Sequence, residues 1–169
     1  MTLRTSFLSL VALVFVSSAG AEDFKVSDLN FSKPETWKSV EVQSAMRKAQ
    51  LSVGEEGEVV FFHFGPGAAG GKKANIDRWF GQFKEGPDAI NAKTEELKAG
   101  DIPVTLVSAN GTFLAGRPGG PKTGMPDYAL LGAIIEAKGG SIFVKFTGKK
   151  ATVDAAAKDF KAMVTGAKE

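Results

Sequence analysis

The chain has no cysteine and a single histidine, and these two shortages exclude more chemistry than its motifs supply. Without a thiol there is no disulfide framework, no cysteine nucleophile, no thiolate metal site and no lipid-modified cysteine behind a leader. One imidazole leaves carboxylates as the only abundant metal ligands, and no Asp-rich calcium loop occurs, so no metal is expected. No G-x-S-x-G elbow accompanies Ser44, Ser52, Ser108 or Ser141, so a serine hydrolase would have to recruit His63 as its base. A concentrated basic face is also missing. Lys and Arg number 21 against 19 Asp and Glu, and Lys72-Lys73 and Lys149-Lys150 are only local pairs. Nucleic acid and polybasic membrane binding are therefore not expected.

Long apolar runs are lacking too, and the one short run is informative. Arg4 precedes an apolar stretch from Phe7 to Val16, and Ser17-Ser18-Ala19-Gly20-Ala21 closes it with small residues. A membrane span needs about 20 apolar residues, so this stretch reads as a cleaved secretory leader, residues 1–21, rather than an anchor. The expected product is periplasmic or secreted, cut near Ala21, with no stable membrane anchor. Removing 21 of 169 residues leaves about 148, enough for one domain over 22–169. Arg4 leaves with the leader, so the net charge falls from +2 to +1.

What remains is patterned as strands with isolated helices. Phe24, Val26, Leu29 and Phe31 suit one short docked strand that Pro34 breaks. Met46 to Val53 and Glu58 to Phe64 read as a hairpin around Gly54-Glu55-Glu56-Gly57. Ile76, Trp79, Phe80 and Phe83 recur at i, i+3, i+4 and i+7, which predicts a helix over 75–83 with Asn75 as its N-cap. Residues 88–100 read as a short helix or an ordered connection. Asn110-Gly111 reads as the turn of a hairpin between 102–109 and 112–115. Glycines at 116, 119, 120 and 124 with prolines at 118, 121 and 126 read as a long loop over 116–127. Strands over 128–137 and 141–147 follow, and a helix over 152–165 carries Val153, Ala156, Ala157, Phe160, Met163 and Val164 on one stripe. Hairpins with few helices predict an α+β fold, a mostly antiparallel sheet packed with two or three helices.

That order of elements resembles the PsbP-like fold, the strand 141–148 leading into a helix with Phe160 most of all. The fold is shared by an oxygen-evolving-complex subunit, a nuclear-transport factor and many exported bacterial lipoproteins. The chain is also similar to a group of bacterial exported proteins with no assigned activity. The shared motifs are Ala45-Met46-Arg47, Phe64-Gly65-Pro66-Gly67 and the run from Asn75 through Arg78-Trp79 to Gln82-Phe83. The resemblance implies an α/β/α sandwich and export; it implies no activity, because members of one fold do different jobs.

Gly65 to Gly70 spells G-x-G-x-x-G, but Gly71 to Ala74 intervene before the expected helix and no acidic strand end follows. A Walker loop fails because Gly71 stands where lysine is required. No cofactor is expected. The plain reading of 65–71 is a surface loop; the functional reading is an anion-binding concavity made by its N–H groups with Lys72 and Lys73. Arg117 and Lys122 give the second glycine loop the same two readings, and the two loops would form one basic rim if they lay side by side. His63 alternates with Val59 and Phe61 and reads as a satisfied, partly buried imidazole. Glu55-Glu56 and Glu95-Glu96 read as solvated faces, and Asn30 and Asn110 match glycosylation sequons. The expected function is binding without catalysis, of a partner protein or a small anion, through the glycine-rich loops. A hydrolase or transferase using His63 or carboxylates, and a structural envelope component, are the alternatives.

Overall fold

Along the strand Ile142–Lys149 the side chains of Ile142, Val144 and Phe146 enter one core, while Phe143 enters a second core on the opposite face. Period-two alternation gives a strand two faces, and a strand apolar on both belongs in the middle of a covered sheet. A computed structural model describes residues 21–117 and 119–169. The leader read over 1–21 lies outside them except for Ala21.

A small hairpin pairs β1 (Ala21–Val26) with β2 (Leu29–Pro34). The main sheet contains β3 (Lys38–Ser39), β4 (Arg47–Val53), β5 (Gly57–His63), β6 (Lys93–Ala99), β7 (Ile102–Ala115), β8 (Thr123–Ile135) and β9 (Ile142–Lys149). Their spatial order is β3-β4-β5-β9-β8-β7-β6, antiparallel throughout. Two helices, α1 (Lys72–Phe80) and α2 (Lys150–Thr165), lie on opposite faces. With α2, the small hairpin covers a core that includes Phe31, Phe61, Phe146 and Phe160. On the other face Trp79 and Phe83 pack with Ile90, Val107, Leu130, Ile134 and Phe143. The fold is α+β in three layers, as its pattern predicts.

Five local expectations are corrected. The lead-in is a two-stranded hairpin rather than one strand, because Ser27 adopts φ +55° without the glycine that marks such a turn. Helix α1 starts three residues early, with Gly71 at its N-cap. Asn75 is inside the helix, and its Nδ2 donates back to the carbonyls of Ala69 and Gly71 at 3.0 Å each. Phe83 lies beyond the helix yet stays buried, bridging to Phe113. Residues 93–99 form edge strand β6, whose Lys-Thr-Glu-Glu-Leu-Lys-Ala sequence is charged because most of it faces water.

Asn110-Gly111 is not a turn; β7 runs straight through it. A Cβ at Gly111 would sit 2.8 Å from Glu85 Oε2, and that carboxylate accepts the Thr112 N–H at 2.9 Å. Glycine therefore makes room for a side chain that satisfies a backbone donor where the register shifts. Pro126 and Asp127 are the extra residues opposite that shift, so the missing proline N–H breaks no ladder bond and β8 begins at Thr123. The long loop is thereby shortened at its C-terminal end.

Candidate functional site

The lysines beside the first glycine loop already hold carboxylates. Lys72 Nζ lies 3.3 Å from Glu136 and 3.5 Å from Glu96, and Lys73 Nζ lies 2.6 Å from Asp77 one turn along α1. Burial opposes the charge of Lys72, but the bonds and charges of Glu136 and Glu96 outweigh it and raise its pKa. The start of the loop packs against the β8–β9 turn, where a Cβ at Gly140 would stand 2.6 Å from the Gly65 carbonyl carbon, while Gly67, Gly70 and Gly71 are open to solvent. Two of its carbonyls, those of Ala69 and Gly71, are turned toward Asn75.

Arg117 and Lys122 sit at the opposite end of β8. Lys72 meets Glu136 just past the C-terminus of that strand, whereas Arg117 and Lys122 precede its N-terminus. Thirteen residues of strand span roughly 40 Å. The structure does not join the two loops into one basic rim. Lys122 is exposed beside Gly116, and Arg117 turns to another surface.

Arg117 closes a groove of about 700 Å³ with Val40, Glu41, Gln43, Ser44, Arg47 and Gln50. Its floor is ordered by side chains of β4 and β5. Arg47 Nη1 donates to Gln50 Oε1 and to Glu58 Oε1 at 2.8 Å each, and Gln50 Nε2 donates to the same Glu58 oxygen at 2.8 Å. Arg117 is exposed and makes no ion pair among the described residues. The connection 40–46 forms one rim, and three of the four large exposed apolar side chains among the described residues lie on it: Val40, Val42 and Met46, the last 60% exposed. The fourth, Phe64, stacks on Phe62, which pairs with Arg47 across the strands.

Deeper on the same face Lys145 is half-buried, donating to Gln82 Oε1 at 3.1 Å with its ammonium 5.8 Å from the centre of the Phe113 ring. Burial lowers its pKa; Glu58 opposes that fall and Arg47 adds to it.

His63 is arranged as a fastener. Its Nε2–H donates to the Gly139 carbonyl at 3.1 Å, so the Nε2 lone pair is not available to Ser27 Oγ at 3.4 Å. Asp28 Oδ2 accepts the Gly139 N–H at 3.3 Å, so both backbone groups of Gly139 are held, and Asp28 Oδ1 is buried without a partner among the described residues. The paired glutamates diverge: Glu95 bonds Lys161 on α2, while Glu96 bonds Thr105 and Lys72 on the α1 side. Lys149 at 2.9 Å from Glu56, opposed by burial and helped by Tyr128, holds that carboxyl below its ordinary range. No group of three metal-ligating side chains occurs among the described residues.

Of the predicted ligand-binding residues Lys72, Lys73, Arg117 and Lys122, Arg117 alone joins this groove; Ser44, named only as a serine without an elbow, and Arg47, named only within a shared motif, also line it, while Gln50, Glu58 and Lys145 come from strands read as scaffold. Lys145 carried a visible signal, a charge inside an otherwise apolar run from Ile142 to Phe146.

No protein-family model matches the chain, and no curated protein matches its sequence significantly. By fold it is similar to cyanobacterial PsbP (CyanoP) from Synechocystis sp. PCC 6803, known from a solution structure. The match has a TM-score of 0.56 and covers 94% of this chain and 98% of that one at 13% identity. The architecture is therefore PsbP-like.

Proposed function

We propose that this chain is an exported, non-enzymatic accessory protein that binds a partner protein through the surface around Arg117. The observation that carries the reading is that the exposed Val40, Val42 and Met46 all lie on the connection that borders a polar groove, which Val40 itself lines. Large apolar side chains that gather outside a core, with charged and amide groups beside them, have the make-up of a protein-binding patch. The leader-like first 21 residues support export. Lys72 and Lys73 support a small-anion site less well, since each already faces a carboxylate. The bond from His63 to Gly139 favours a fastening role over a hydrolase.

The test is a Val42→Ser/Met46→Ser variant. Loss of co-elution with the partner found for the wild type, at unchanged melting temperature, supports the reading. Retained co-elution overturns it.

A further inference from the structure

We infer that the groove takes an acidic, apolar-flanked segment of the partner protein, its carboxylate on Arg117 and its apolar side chain on Val40. The inference rests on the partner-binding reading above. Its first element is the difference between the two arginines. Arg47 is bonded to Glu58, whereas the exposed Arg117 guanidinium has no carboxylate among the described residues. A planar fork of five N–H donors matches a carboxylate bidentately, which makes Arg117 the place where an incoming acid is read.

The second element selects a protein segment over a free anion. Glu41 also lines the groove and Glu58 neutralises Arg47, so a densely charged ligand such as a polyphosphate meets repulsion there while a single carboxylate does not. Gln43, Ser44 and Gln50 present amide and hydroxyl groups suited to the N–H and C=O groups of a backbone. Val40, exposed and in the lining, supplies apolar contact that a small anion leaves unused.

The experiment places p-benzoylphenylalanine at position 40, which lines the groove, and separately at 46 beside Arg47, in the full chain inside the cell that makes it. After irradiation the cross-linked partner peptide is sequenced. The expected peptide carries Asp or Glu adjacent to a large apolar residue. Arg117→Glu lowers the cross-link yield at least about tenfold, and exchanging the partner's acid for arginine restores it. Melting curves of each variant establish that the fold is kept. A cross-link that survives Arg117→Glu, or a peptide without an acid, overturns the inference and leaves the partner-binding reading standing. No cross-link from either position overturns both.

Discussion

Trp79 packs directly against Gly132, and the contact sets a measurable price on one methyl group. A Cβ at Gly132 would fall 2.4 Å from Trp79 Cζ3, 2.5 Å from Cε3 and 2.8 Å from Val107 Cγ2, all inside contact distance. Two of these atoms belong to a rigid ring that is itself 6% exposed and edged against Phe143, so the indole cannot swing away cheaply. Overpacking of this kind costs about 1–3 kcal/mol. The gain from replacing a strand glycine, about 0.5–1 kcal/mol, offsets only part of it. Gly132→Ala is therefore expected to lower Tm by roughly 2–8 °C in a domain of this length. Trp79→Ala removes the indole and costs about 3–5 kcal/mol on its own. In that background the added methyl has space, and Gly132→Ala becomes neutral or mildly stabilising. Urea titrations of the four proteins, followed by circular dichroism with Trp37 fluorescence as a second probe, give the coupling energy. Equal costs of Gly132→Ala in both backgrounds, or a neutral Gly132→Ala in the wild type, would refute the packing argument.

The remaining expectations concern charge. Burial depresses the Lys145 pKa, so the folded state carries a penalty that is complete below the depressed value. The penalty is relieved as pH rises through that value toward the ordinary lysine pKa near about 10.4. Lys145→Met should therefore leave stability at pH 7 equal or higher and remove part of its rise with pH, read as urea midpoints from neutral to alkaline pH. Glu85 is shifted the other way, held below its ordinary range by the hydroxyl and N–H of Thr112. Its stabilisation is present above about pH 4.3 and lost as pH falls through the folded pKa. Glu85→Gln should thus flatten the acid limb of a Tm-against-pH curve. Finally, Lys72→Ala/Lys73→Ala should leave phosphate-induced melting shifts unchanged; a shift abolished by this variant would reinstate the glycine loop as an anion site.

The hydrophobic layers were legible because burial imposes its period directly on residue type. The stripe of α2, the β4–β5 hairpin and the face of α1 that bears Trp79 all follow from spacing. Features governed by a distant partner were hidden. Nothing local to Asn110-Gly111 reveals that Glu85 approaches from another segment, and the charged strand β6 lacks a strand's alternation because both sides of it are largely exposed to water. The groove was hidden for the same reason: Arg117 is far in the chain from Val40, Arg47 and Gln50 and meets them only once β7 and β8 extend past the bulge.

Because β9 lies between β5 and β8, the centre of the sheet is supplied by the last strand to leave the ribosome. Until residues 142–149 arrive, the hairpins on either side have open edges and no shared core, and α2 is absent too. Contacts between such remote segments form late. A chain of this design is expected to close its two cores in one late step, when residues 142–149 slot between the waiting hairpins.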